Sequence, residues 1–89
     1  MRFSPNTHRR PVLAVVVPCF NEAEVFPETA KRLASLLQQL IDGKRIDPAS
    51  RSWYVDDGSQ DETWRLIQAA TADSGQKACG IKLSRNRGH

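Results

Sequence analysis

The sequence predicts an α/β protein, a Rossmann-like β-α-β-α-β unit built on a parallel sheet. Three observations carry that expectation. Three short apolar runs, "VLAVVVP", "RSWYV" and "ACGIKLS", are separated by two segments whose apolar residues recur at helical spacing. The first run is β-branched and does not alternate, the pattern of a strand covered on both faces. Strands alternating with helices favour right-handed crossovers between parallel neighbours.

Each element has its own local reason. Residues 1–11 are polar and end in a basic cluster before Pro11, which predicts a flexible N-terminal tail; the folded part is expected over 12–89. Pro18 is expected to end the first strand. The next segment spaces Phe26, Ala30, Leu33, Leu37, Leu40 and Ile41 along one helical face. Pro27 suits the first helical turn, where its missing N–H is not needed, and Gly43 suits the C-terminal cap. Asn21 reads as a cap for this helix. "SQDE", Ser59 to Glu62, matches a capping box and predicts the start of a second helix. Trp64, Ile67 and Ala70 would form its inner face and Gly75 would end it. Cys79, Ile81 and Leu83 then alternate on one side of a third strand. The tryptophans Trp53 and Trp64 read as packing residues.

Composition excludes several classes of function. With 39% hydrophobic and 26% charged residues among 89, the chain is neither disordered nor membranous, and it amounts to one domain or part of one. No run approaches the ~20 apolar residues of a membrane helix, so any membrane attachment is expected through another segment or a partner. The net charge of +3 is concentrated in "HRR" and "SRNRGH". That marks two local basic sites and not a nucleic-acid-binding surface. Cys19 and Cys79 fit no metal spacing and follow no secretory signal, so they read as reduced, buried small apolar residues. His8 and His89 have no partner at metal-ligand spacing.

Parallel sheets of this kind bind ligands beyond the carboxyl ends of their strands, where "PCFNE", "DDGSQDE" and "SRNRGH" fall. A dinucleotide fold would place G-x-G-x-x-G after the first strand, so that bare backbone could approach a pyrophosphate. Here Pro18 offers no donor, Phe20 blocks close approach and Glu22 repels phosphate; this loop suits the uncharged base and ribose of a nucleotide. A carboxylate at the end of the second strand can accept hydrogen bonds from a base N–H or from ribose hydroxyls. Asp56 and Asp57, being adjacent in extended backbone, point to opposite sides. One can face the crevice while the other meets backbone donors; local physics leaves this open against a plain turn-and-cap role for both.

"VVVPCFNE", "YVDDGSQDET" and "LSRNRGH", in this order and spacing, resemble the start of the inverting family 2 glycosyltransferases, most closely the polyprenyl-phosphate sugar transferases of the dolichol-phosphate mannosyltransferase type and their undecaprenyl-phosphate relatives. The resemblance runs from Val12 to His89. It implies the start of a GT-A fold, a UDP- or GDP-sugar donor, a lipid-phosphate acceptor at the cytoplasmic membrane face and an assisting Mg²⁺ or Mn²⁺. Pro18, Phe20 and Glu22 match the family's nucleoside-pocket residues, with Phe20 where tyrosine is common. Val55 and Asp57 match positions that contact base and ribose, and Asp56 matches the partner that holds the loop. Arg85 and Arg87 fall near the expected diphosphate, Arg87 at a position that is often aromatic. The family's metal-binding D-x-D motif and its acceptor half belong to sequence after His89. The 89 residues are therefore expected to bind nucleotide without catalysing transfer, and a bare sheet of this kind would leave an uncovered apolar face. The alternative from another class is a stand-alone nucleotide-binding or regulatory module.

Overall fold

The computed structural model describes residues 10–83. The elements run β1 (Ala14–Cys19), α1 (Phe26–Asp42), β2 (Arg51–Asp56), α2 (Thr63–Ala72), a short 3₁₀ turn (Ser74–Gln76) and β3 (Ala78–Lys82). The strands lie in the order β1-β2-β3 and both pairs are parallel, with Cys19 opposite Asp56 and Tyr54 opposite Gly80. The expected β-α-β-α-β parallel arrangement is what the chain adopts.

Strands in chain order step the same way at each crossover, so crossovers of one hand put both helices on one face of the sheet. In agreement, α1 touches α2, and the core under them joins Cys19, Phe26, Ala30, Tyr54 and Ile67. The rings of Phe26 and Tyr54 meet edge to face at a centroid distance of 4.9 Å, a favoured aromatic geometry. The predicted inner face of α1 holds, with Phe26, Ala30 and Leu37 buried and Leu33, Leu40 and Ile41 partly so. Pro27 sits in the first turn of α1 and Gly43 caps its end. Trp64 packs against the core as expected, and Lys82 Nζ lies 5.8 Å from its ring centre.

The second face of the sheet behaves differently from the sequence expectation for the valine run. Val16 is 64% exposed and Ala14 and Pro18 are open, while Val15, Val17 and Cys19 face the helices. Coverage on both faces therefore fails for β1 among the described residues, because both helices occupy the same side. Cys79 and Ile81 do alternate together, but they pair with Trp53 and Val55 on this open face. Cys79 is accordingly half-buried, whereas Cys19 is sealed. The apolar face foreseen for a bare sheet is thus present and runs through Val16, Trp53, Val55 and Ile81.

Pro18 lies inside β1 and not at its end. Leu13 O accepts from Arg51 N–H and Cys19 O accepts from Asp57 N–H, so the odd-numbered residues turn their backbone groups toward β2. Pro18 turns its nitrogen to the outer edge, where a missing donor costs no ladder bond. The loop before β2 is anchored to the segment that leads into β1: Asp47 N–H donates to Pro11 O and Leu13 N–H donates to the buried Ser50 Oγ.

Two terminators also differ. α2 ends at Ala72 with Asp73 as its C-cap, ahead of Gly75, because Asp73 Oδ1 accepts from Gly75 N–H and starts the 3₁₀ turn. The residue in left-handed backbone after α1 is Lys44, at φ 59°, and not Gly43.

Candidate functional site

The first loop (residues 20–25) and the second loop (residues 57–62) leave adjacent parallel strands, so they emerge side by side at the same edge of the sheet. Asp57 N–H donates to Cys19 O at 3.0 Å, extending the β1–β2 ladder one step into the second loop. Gly58 then takes φ 84°, left-handed backbone that glycine adopts at no steric cost and that turns the chain toward α2.

The two aspartates are separated as their extended backbone predicts. Asp56 is 0% exposed on the helix side of the sheet, in line with the buried Ser52 and Tyr54. Its Oδ1 accepts from Ser59 N–H at 3.3 Å and its backbone carbonyl accepts from Leu83 N–H at 2.9 Å. Its Oδ2 is buried and has no hydrogen-bond partner among the described residues. Asp57 lies beyond the strand end and is partly exposed. Of the pair, therefore, Asp56 is closed off from solvent and Asp57 is the more accessible.

Pro18, Phe20 and Glu22 are all exposed at the same edge, Phe20 by 54%. Val55 is half-buried on the open face of the sheet, one residue before the aspartates. Arg85, Arg87, His8 and His89 lie outside the described residues.

The two loops are joined by side chains, and here the capping expectations give way. The capping box predicted at Ser59 to Glu62 does not form: α2 begins at Thr63, and Glu62, at its N-cap, makes no side-chain cap bond. Asn21 does not cap α1 either, since that helix begins at Phe26 after a turn in which Glu22 O accepts from the amides of Val25 and Phe26. Instead Asn21 N–H donates to Ser59 Oγ at 2.8 Å, and Gln60 N–H donates to Asn21 Oδ1 at 2.7 Å. Glu22 N–H donates to Thr63 Oγ1 at 2.8 Å, and Ala23 N–H donates to Asp61 Oδ2 at 3.2 Å. Thr63 closes the system by donating through both its amide and its hydroxyl to Asp61 Oδ1. Three successive amides of the first loop thus end on side-chain oxygens of the second loop and of Thr63, the first residue of α2.

Sequence reasoning missed the roles of Asp61 and Thr63. The available signal was local: an aspartate two residues before a threonine can bond that residue's backbone N–H, as Asx turns do.

These contacts set the electrostatics. Hydrogen bonds from the Thr63 side chain and then its backbone hold the Asp61 carboxyl below the usual aspartate range. Burial, followed by the charges of Glu22 and Asp56, pushes the Cys19 thiol up to about 11. Cys19 is therefore a protonated, inert member of the core at neutral pH. Consecutive loop amides are the usual makings of an anion nest, but in this loop protein oxygens already occupy them. The adjoining cleft is lined by Glu22, Glu24 and Asp61 together with Asn21, Ala23 and Val25. Its acidic rim suits hydroxyl and N–H donors, not phosphate.

A divalent metal needs several converging oxygen ligands. No group of three or more His, Cys, Asp or Glu side chains converges among the described residues, and Asp56 is closed beneath the loop. The described residues do not fit a metal centre.

The family model described as "Glycosyl transferase family 2" matches residues 14–89. A Bacillus subtilis (strain 168) protein named "Uncharacterized glycosyltransferase YkoT" is 49% identical over 80 residues, covering 90% of this chain and 23% of the relative. Proteins named "Undecaprenyl-phosphate 4-deoxy-4-formamido-L-arabinose transferase" from Pseudomonas fluorescens (strain SBW25) and Sodalis glossinidius are each 33% identical over 76 residues. These cover 85% of this chain and 20% and 22% of the relatives. The chain thus spans about a fifth to a quarter of the length of these curated relatives. No solved structure matches.

Proposed function

The chain belongs to glycosyl transferase family 2, and on that premise we propose that it forms the nucleotide-sugar-binding part of a glycosyltransferase that moves a sugar from a UDP- or GDP-sugar to a polyprenyl phosphate. One observation supports the nucleoside role above the others: Asp57 and the exposed Phe20 flank the bond from Asp57 N–H to Cys19 O, at the carboxyl edge of a parallel sheet. In this reading Asp57 accepts a hydrogen bond from the base or ribose, Phe20 packs on the nucleoside, and Pro18, Glu22 and Val55 complete the wall. Asp56, sealed beneath, holds the loop through Ser59. The acidic rim and the filled amides favour placing the diphosphate elsewhere, and Arg85 and Arg87 are proposed to meet it. The acceptor class rests on the relatives whose names specify transfer involving undecaprenyl phosphate. No helix among the described residues is long and apolar enough to cross a membrane. An Mg²⁺ or Mn²⁺ at the diphosphate is proposed to take its ligands outside the described residues.

Nucleotide binding tests this reading. A thermal-shift panel of UDP, GDP and their nucleosides, with and without Mn²⁺, is expected to raise the melting temperature of the wild type by binding linkage. Asp57→Ala should abolish that shift while remaining folded. A folded wild type that responds to no nucleotide, or an Asp57→Ala variant that responds as the wild type does, overturns the assignment.

A further inference from the structure

The contacts between the two loops do more than close the fold. Asn21 stands at φ 50°, left-handed backbone that asparagine tolerates better than most residues. In that conformation its amide and its side-chain oxygen both face the second loop, donating to Ser59 Oγ at 2.8 Å and accepting from Gln60 N–H at 2.7 Å. Asp61 bridges Ala23 N–H on one side and Thr63 on the other. The bonds from Asn21 and Ala23 to the second loop join residues 38 to 39 positions apart in the chain, so they gain nothing from local proximity. They fix the residue directly after Phe20 against the segment that directly follows Asp57 and Gly58.

We propose that Asn21 and Asp61 are positioning residues: with Ser59 and Thr63 they clasp the first loop to the second, and so hold Phe20 and Glu22 in register with Asp57 before a nucleoside arrives. This rests on the nucleoside reading above and adds a device to it. None of the four needs to touch the ligand. Their effect is to remove loop freedom that ligand binding would otherwise have to remove. The carboxylate of Asp61 on the Ala23 amide, with the Ser59 and Thr63 hydroxyls on the Asn21 and Glu22 amides, also takes the place an external anion would hold there, which keeps phosphate out of the nucleoside end of the crevice.

The test separates the clasp from the pocket. UDP and GDP are titrated against the 89-residue chain as wild type, Asn21→Gly, Asn21→Asp, Ser59→Ala and Asp57→Ala, well below the melting temperature of each. Asn21→Gly keeps the left-handed backbone and deletes the acceptor of Gln60 N–H. It should weaken binding by about three- to tenfold, the equivalent of one lost hydrogen bond. Ser59→Ala cuts the clasp from the other loop and should weaken binding similarly. Asn21→Asp restores the acceptor and should recover affinity to within about twofold of the wild type, a rescue that a merely structural loss would not show. Amide exchange at Gln60 should rise in Asn21→Gly and return in Asn21→Asp. If Asn21→Gly and Ser59→Ala bind as the wild type does while Asp57→Ala does not bind, the clasp is refuted and the nucleoside pocket stands. If the folded wild type binds neither nucleotide, or Asp57→Ala binds normally, the pocket reading fails and the clasp proposal fails with it.

Discussion

Thr63→Val is the sharpest single test of how the two loops are held. Thr63 is fully buried at the first turn of α2, and its Oγ1 accepts from Glu22 N–H at 2.8 Å while donating to Asp61 Oδ1. Valine keeps the shape and replaces that oxygen with a methyl group. A methyl carbon settles at about 3.5–4.0 Å from its neighbours, so the first loop must retreat by roughly 1 Å from the 2.8 Å contact. Glu22 N–H then has no acceptor in a partly buried position, which costs about 1–3 kcal/mol. The Asp61 carboxylate is at the surface, where water replaces the lost donor. With a urea slope of roughly 1 kcal/mol/M for a chain of this size, the unfolding midpoint should fall by about 1–3 M. Thr63→Ser is the control: it keeps the hydroxyl bridge and removes one methyl group, worth about 0.8 kcal/mol. Equilibrium urea unfolding of the three proteins, followed by tryptophan fluorescence, reads both numbers. If the serine variant loses as much stability as the valine variant, the methyl packing and not the hydroxyl bridge holds the loops, and the argument is wrong.

Two further outcomes follow from the core. Gly80→Ala would place its Cβ 2.6 Å from Ile67 Cγ2; because a β-branched side chain in a helix has one strongly preferred rotamer, overpacking should cost about 1–3 kcal/mol, checked by the same unfolding assay. A double-mutant cycle with Ile67→Ala should show the two changes compensating, and simple additivity within about 0.5 kcal/mol would refute the contact. Cys19, raised from 9.0 to about 11 chiefly by burial, should react with iodoacetamide at pH 8 at least a hundredfold more slowly than an ordinary thiol, with the half-buried Cys79 labelled first. The sign of the linked pH effect is set by the raised value: the contribution is intact below pH 9, and stability declines as pH rises from 9 toward 11, by on the order of 1–3 kcal/mol. A Cys19→Ala variant should lack that decline.

Much of this protein is legible along the chain because its signals are local. The period of Phe26, Ala30, Leu33 and Leu37 depends only on helix geometry, and the alternation of Ser52, Tyr54 and Asp56 against Trp53 and Val55 only on the pleat. The same pleat separated Asp56 from Asp57, and the order of strands and helices led to the parallel sheet. The quoted motifs led to the family through their order and spacing. Other features required the assembled fold. That the valines of β1 are covered on one face only depends on both helices packing on the same side. That Pro18 is tolerated inside β1 depends on which edge its nitrogen faces. The hydroxyl of Ser59 and the amide of Asn21 belong to residue types that cap helices, and local pattern has no means of telling a cap from a partner 38 residues away. Periodicity reports which side of an element is apolar, whereas a hydrogen bond between two loops exists only once the strands beneath them have been brought into register.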